Sequence, residues 1–321
     1  MTRAPIFIVN PKSHKVATRG SVLAEVSVDY GDIPLIFFDG STPLAPLLHP
    51  HLSEGRDSIF VEGGDGTVVA ALSAGVELAN GTSALPKFAI LPGGSTNLAF
   101  KHLGLSATHP DFVRGRVGMS KSNEAAIETR KHKALMVETS ETDSPYVGFL
   151  LSTGSLSRAM LYTQQNLHDR RRGSVAIARA ILQLGLFPEG TKYHDGQPVV
   201  RPSRFVELPE TPGTPHDDQA FSLFSTFDSL SLGMRPFWDR GNHPIGYTQG
   251  AWPIQKLRSG VAKLASGRTG KSLEPHGLSS RGCTEFSFSC EGPVVFDGEE
   301  LPMPADGTFR ISASPDLDFI R

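Results

Sequence analysis

Three short segments carry residue types suited to holding and transferring a phosphoryl group: Asn10-Pro11-Lys12-Ser13, Gly63-Gly64-Asp65-Gly66-Thr67 and Pro92-Gly93-Gly94-Ser95-Thr96-Asn97. Each follows a short, continuous apolar run. Glycines let a backbone approach a ligand closely, and free amides at a helix start favour an anion. Thr67 and Ser95 add hydroxyl donors, and Lys12 adds a positive charge within reach of a phosphate. Asp65 stands out, because a carboxylate in a phosphate loop repels its ligand unless a magnesium ion or a hydroxyl acceptor accompanies it. A single Gly-Gly after a strand is usually only a turn; three such loops on one sheet edge are a stronger signal. Neither standard glycine fingerprint fits. The glycine a dinucleotide loop needs after Gly66 is Val69, and Gly270-Lys271-Ser272 has Ala265 where a P-loop begins, so it reads as a flexible loop. A fourth segment, Asp297-Gly298-Glu299-Glu300, taken alone is an acidic hairpin turn.

The elements that position these loops alternate in type. Ile6–Val9, Pro34–Phe38, Ser58–Val61 and Phe88–Leu91 read as strands buried on both faces, and Ser21–Val28, Thr67–Leu78 and Asn97–Leu103 as helices. This order predicts a parallel sheet covered on both faces, with its loops converging at the carboxyl ends of the strands. After about residue 125 the pattern changes. Lys133–Thr139, Tyr146–Ser152, Arg204–Leu208, Phe221–Phe227, Glu285–Cys290 and Val294–Phe296 are short β-prone runs, interrupted by a helical stretch over roughly 158–186. They predict an antiparallel sandwich. The expected organisation is an α/β domain of residues 1–127 with a returning strand from 310–321, and a β-sandwich domain of 128–309. Chemistry is expected in a cleft between them.

Composition excludes several classes. The chain has 321 residues, 39% hydrophobic and 20% charged, with a formal net charge of −2. It is too apolar for a disordered chain and carries no excess charge for nucleic acid. Cys283 and Cys290 cannot build a disulfide framework, and no Cys/His spacing suggests structural zinc. No apolar run approaches the ~20 residues of a spanning helix, and the run after the first residues is too short for a signal peptide. The expectation is a cytoplasmic protein, and the two cysteines are read as core filler. His49 and His51, flanking Pro50, are placed in an exposed loop.

At the four segments the sequence resembles the diacylglycerol kinase catalytic family, which includes sphingosine and ceramide kinases and bacterial lipid kinases. The family pattern is an Asn-Pro-x-Ser-Gly turn, a Gly-Gly-Asp-Gly-Thr loop, a Pro-x-Gly-Thr-x-Asn loop and a late Asp-Gly-Glu. The middle motif is shared with NAD kinases and, more loosely, with phosphofructokinases. The resemblance implies an N-terminal three-layer α/β domain, a C-terminal antiparallel β-sandwich and a strand returning to the first domain through Phe309–Ile311 and Phe319-Ile320. It also implies ATP with Mg2+, and transfer of the γ-phosphate to a primary lipid hydroxyl. Asn10, Lys12, Gly63, Gly64, Asp65, Gly66, Thr67, Gly93, Gly94, Ser95, Thr96 and Asn97 are then the ATP-binding residues. By likeness to bacterial lipid kinases Asp297 is the first choice for general base. Sphingosine and NAD kinases make Asp65 its rival, and Glu299 assists through magnesium or an ordered water; the metal ligands stay unassigned. The sequence departs from the pattern at His14 (for Gly), Ser95 (for Thr) and Leu98 (for an acid). The stretch Ser152–Ala159 lacks the acid of the family's early second-domain motif.

The implied acceptor is diacylglycerol, with ceramide or a sphingoid base as alternatives. NAD phosphorylation and a degenerate lipid-binding regulator are the readings from other classes. A lipid acceptor implies peripheral contact with the inner membrane face. Ala159, Met160, Leu161, Ile177, Ile181, Leu182, Leu184, Leu186 and Phe187 are candidates for an acyl pocket or, more simply, core. Arg170-Arg171-Arg172 are candidates for anionic headgroups or, more simply, a solvated surface. Phe237-Trp238 and Trp252 are candidates for interfacial anchors or for core packing.

Overall fold

The structure is a computed structural model. It describes residues 4–81, 84–94, 97–122, 127–166, 192, 196–209, 218–230, 233–253, 259–260, 263 and 269–321. Two compact units result: one of residues 1–134, 144–148 and 314–321, the other of 135–143 and 149–313.

The first unit is built on parallel strands β1 (Ile6–Val9), β2 (Leu35–Phe37), β3 (Ser58–Gly63) and β4 (Lys87–Pro92), in the order β2-β1-β3-β4. The last part of β15 (Thr308–Ile320) adds beyond β4, pairing Phe319 with Phe88 in parallel. Of the residues expected to return, Phe319 and Ile320 do so, whereas Phe309–Ile311, in the same thirteen-residue strand, pair with β12 (Glu285–Cys290) of the second unit. Continuous apolar runs in β1, β3 and β4 are what a sheet covered on both faces requires. Phe7, Val9, Phe60, Ala89 and Leu91 pack with Val16 of α1 (His14–Arg19), Leu23 and Val26 of α2 (Val22–Ser27), and Val113 and Val117 of α6 (Pro110–Ser122). The remaining helices are α3 (Ala45–Ser53), α4 (Asp65–Gly81) and α5 (Leu98–Leu103). Strand β6 (Tyr146–Gly148) also belongs to this unit, where the Val147 amide donates to Ser73 Oγ of α4 at 2.8 Å.

The loop expected around Pro50 is helix α3 instead. Pro46 sits in its first turn, where no amide is needed, and Ala45, Leu48 and Leu52 form its buried face. His49 and His51 are thus helical, and His51 Nδ1 is a buried atom with no hydrogen-bond partner among the described residues.

In the second unit β5 (Thr129–Thr139) enters from the first. β7 (Leu150–Thr153), β9 (Asp218–Ser225), β10 (Ile245–Ala251) and β11 (Leu278–Cys283) form an antiparallel run extended on its other side by the hairpin β13 (Val294–Phe296) and β14 (Glu299–Leu301). β8 (Ser203–Leu208), β12 (Glu285–Cys290) and the first half of β15 form a second antiparallel group, joined to the first where Ser203 and Arg204 pair with Gln219 and Asp218. Between them lies a layer of rings: Phe205, Phe224, Tyr247, Phe286, Phe288 and Phe309. Phe224 and Tyr247 stack at 4.3 Å, and Phe205 and Phe288 at 4.8 Å. Burial pushes the Tyr247 phenol up to about 12. Arg281 closes one side of this layer, 5.0 Å from the Tyr247 ring, with its guanidinium held by Glu207 at 2.6 Å.

Helix α7 (Gly154–Asn166) follows β7 directly. Gly154 makes the junction at φ +66, and a Cβ there would lie 2.6 Å from the Ala220 carbonyl oxygen. Ala159 of this helix is buried, so for that residue the core reading holds. The remaining candidates at 177–187, and Arg170–Arg172, lie outside the described residues. Phe237 is also core rather than an anchor, buried against Gly246. The segment read as a flexible loop at Gly270-Lys271-Ser272 opens a 3-10 turn, Lys271–His276, which buries Leu273 and His276. Cys290 is buried and Cys283 partly so, and burial raises both thiols, to about 12 and about 11.

Candidate active site

The three loops of the first unit converge at the carboxyl ends of β1, β3 and β4, and main-chain contacts tie them together. The Gly93 and Gly94 amides donate to the Gly63 carbonyl at 2.7 and 3.1 Å, the Lys15 amide donates to the Gly93 carbonyl at 2.8 Å, and the Asn10 amide to the Glu62 carbonyl at 2.9 Å. A Cβ on Gly93 would sit 2.6 Å from Gly63 Cα, and one on Gly94 2.7 Å from Gly64 Cα. Two glycine pairs lie backbone to backbone, so side chains are excluded by the neighbouring loop before any ligand is considered.

Side chains complete the weave. Asn10 Nδ2 donates to Thr67 Oγ1 at 3.0 Å, and the Gly64 amide donates to Ser13 Oγ at 3.1 Å. Asn97 takes the left-handed conformation (φ 48). Its Oδ1 accepts from the Gly94 amide at 2.9 Å, and its Nδ2 donates to the Gly94 carbonyl at 2.6 Å. Lys12 points elsewhere: its ammonium is exposed and sits 2.6 Å from Asp39 Oδ2, which together with Ser41 holds the Asp39 carboxyl well below its usual range. Ser95 and Thr96 lie outside the described residues.

Asp65 opens α4, and its Oδ1 accepts from the Ala99 amide at 3.4 Å, at the start of α5. Burial pushes its carboxyl up to about 6, against the amides of Ala99, Leu98 and Asn97 and the charge of Lys101, which pull it down. Glu62, two residues before Gly64, is a buried charge beside the central loop that sequence reading passed over. Buried at 4% exposure, it accepts from Ser21 Oγ at 2.6 Å and from the Val22 and Leu23 amides at 3.1 and 2.9 Å, capping α2. The signal was a charged residue inside an otherwise apolar strand, which must be paired if it is buried.

Asp297 and Glu299 belong to the second unit. Asp297 (φ 45) and Gly298 (φ 95) are the two turn residues between β13 and β14, the two-residue hairpin turn that Asp-Gly favours. The carboxylate is tied at both oxygens: the Phe149 amide donates to Oδ2 at 2.8 Å and the Leu150 amide to Oδ1 at 2.9 Å. The Asp297 amide returns a bond to the Leu150 carbonyl at 2.8 Å. Gln164 of α7 donates to the Gly298 carbonyl at 2.6 Å. Glu299 begins β14, and partial enclosure raises its carboxyl above the ordinary range. Ser152 and Ser157, in the stretch that lacks the family acid, bond to each other at 2.9 Å.

Among the described residues, no group of three His, Cys, Asp or Glu side chains is placed to hold a metal ion, and no helix is long and apolar enough to cross a membrane.

Converging glycine loops, a helix opening at the central loop and a buried acid form the candidate site of the α/β unit. Residues 5–128 match the family model described as the diacylglycerol kinase catalytic domain. Over that segment the chain is similar to this family's kinase catalytic domain. Among solved structures, a diacylglycerol kinase from Bacillus anthracis str. Sterne aligns with 97% of this chain and 94% of its own, at 14% identity and a TM-score of 0.54. A second structure from the same organism aligns over 99% and 97%, at 13% identity and a TM-score of 0.56. At such identities the likeness is one of fold, and it extends through both units. No curated protein matches the sequence.

Proposed function

We propose that this protein transfers the γ-phosphate of ATP to the primary hydroxyl of diacylglycerol, giving phosphatidic acid. The observation that carries this reading is the weave of the three loops within the segment matched by the diacylglycerol kinase catalytic domain. In this reading Gly64, Gly66, Thr67, Gly94, Ser95 and Asn97 hold the nucleotide phosphates and Asn10 completes the nucleotide site, while Lys12 is turned away to Asp39. The lipid acceptor lies in a bilayer, so the enzyme works as a peripheral visitor to the inner membrane face.

In-line phosphoryl transfer asks the protein to position ATP, to neutralise charge and to receive the hydroxyl proton. Of the two rival acids, Asp65 suits the last task better. A carboxyl near 6 exchanges protons close to neutral pH, where a general base is most effective. Asp297 accepts one main-chain amide on each oxygen, which orients it at the β13–β14 turn and leaves it the rival for this task. A magnesium ion brought by ATP would be held mostly by phosphate oxygens and water, with few protein ligands, and would neutralise charge on the transferred group.

The test is transfer from γ-labelled ATP with magnesium to diacylglycerol, monoacylglycerol, ceramide and sphingosine in mixed micelles, with NAD run separately. Labelled phosphatidic acid is the expected product. Label on ceramide or sphingosine would move the acceptor to the sphingoid class, and label on NAD would move the enzyme to a soluble substrate. No transfer by folded protein would overturn the reading.

A further inference from the structure

Helix α5 links Asp65 to two distant arginines. At its amino end the Ala99 amide meets the Asp65 carboxylate at 3.4 Å. At its carboxyl end the His102 carbonyl accepts from Arg130 Nη1 at 3.1 Å and from Arg321 Nη1 at 3.0 Å. Arg130 stands near the start of β5, and Arg321 follows β15, its amide donating to the Glu128 carbonyl at 3.0 Å. All of these groups lie in the first unit. A helix of six residues is about 9 Å long and leaves its last carbonyls without intrahelical partners. Two guanidinium groups on one such carbonyl fix that end of α5 and complement its negative pole, while the other end presents its amides to Asp65. Two residues past the helix, the Leu105 amide donates to the Ile90 carbonyl at 3.1 Å.

We propose that Arg130 and Arg321 are positioning residues for Asp65, acting through α5: by clamping the His102 carbonyl they hold the Ala99 amide where it meets the carboxylate. The proposal rests on the reading of Asp65 as the proton acceptor. Neither arginine belongs to any of the glycine motifs, and 191 residues of sequence separate them. The charged side chain acting on Asp65 from α5 is Lys101, which stays in place in every variant below.

The experiment uses the full chain with Arg130→Gln, Arg321→Gln, the double variant and the corresponding Lys substitutions. The first readout needs no activity. The carboxyl carbon of Asp65, in protein labelled with 13C-aspartate and assigned by its loss in Asp65→Asn, is followed against pH without nucleotide. In the double Gln variant Asp65 is expected to titrate at higher pH than in the parent, because positive charge and a well-placed amide both favour the carboxylate. The second readout is kinetic: kcat falls about tenfold with KM for ATP unchanged, and the Lys variants recover most of the loss. Thermal unfolding reports the folded fraction, and the single variants replace the double one if it does not fold. An unmoved Asp65 titration overturns the proposal, as does a shifted titration with unchanged kcat or a fall in kcat that tracks only the unfolded fraction. If the parent protein phosphorylates no acceptor, the proposed function falls and the titration alone decides this inference.

Discussion

Two aspartates, one in each unit, accept main-chain amides and are left in opposite conditions by the same kind of bond. Asp297 takes two amides at 2.8 and 2.9 Å, one on each oxygen. Asp65 takes a long bond of 3.4 Å in a buried setting, and its carboxyl rises to about 6. Short, paired, charge-assisted bonds make a carboxylate a structural fastener. A looser bond in a low-dielectric site leaves a carboxylate costly to ionise, and so ready to take up a proton. Residue type and a neighbouring glycine are common to both. What separates them is burial: the amides of Ala99, Leu98 and Asn97 also favour the Asp65 carboxylate, but desolvation outweighs them, whereas Asp297 is only half-buried.

The largest expected effect tests the Asp65 side of this contrast. Asp65→Asn should lower turnover by about 10²-fold or more in the labelled-ATP assay, whereas Asp297→Asn should retain clearly more activity per folded molecule. Equal losses would erase the distinction. Next, Asp297→Ala removes the acceptor from two amides at the start of β7, and unsatisfied amides cost about 1–3 kcal/mol each when buried. Urea unfolding should show a loss of about 2–6 kcal/mol for the two amides, reduced if water reaches the vacated site.

The third test has the opposite sign. Asp65 is harder to ionise in the folded state than in the unfolded chain, whose carboxyl titrates near 3.8. Between about pH 4 and 6 the folded state therefore holds more protons, and stability declines as pH rises through that window. The carboxylate costs about 3 kcal/mol at pH 7 by the size of the shift, an order-of-magnitude figure. Asp65→Asn should thus unfold at higher urea than the parent at pH 7, with the gain fading below pH 4. A variant that is inactive yet more stable would mark Asp65 as a functional compromise. Gly94→Ala should destabilise by about 1–3 kcal/mol, because its Cβ meets Gly64 Cα, and should weaken ATP binding measured by calorimetry. The smallest effect belongs to the surface. Arg114 bonds Asp29 at 2.7 Å, Asp111 at 2.8 Å and Glu25 at 3.4 Å, all exposed. Arg114→Ala should cost about 1 kcal/mol or less and leave turnover unchanged.

Much of the first unit was legible because its strands are buried on both faces: Ile6–Val9, Ser58–Val61 and Phe88–Leu91 leave little choice of element. Helix α3 was hidden by Pro46 and Pro50, which argue locally against a helix that Leu48 and Leu52 secure by packing. Strands β10 and β11, reading Ile-Gly-Tyr-Thr-Gln-Gly-Ala and Leu-Ser-Ser-Arg-Gly-Cys, carry too few apolar residues to announce themselves; they form because six consecutive residue pairs zip together. At the site, spacing identified the loops but not their mutual contact. Glycines that appeared chosen for phosphate turn out to be required by one another. The tie from Asp297 to Phe149 and Leu150 spans 148 and 147 positions, and no local pattern encodes such a bond.

Strand β15 has a consequence for how the chain is made. Its first half pairs with β12, and only its last residues reach the sheet of the first unit, beside β4. During synthesis, β4 therefore waits for a neighbour more than two hundred residues downstream, with an apolar edge unpaired in the meantime. Sequence-distant closure of this kind slows folding. The first unit cannot finish before the second has been translated, so a stalled or truncated chain should present an incomplete, aggregation-prone sheet to chaperones rather than an independently folded first unit.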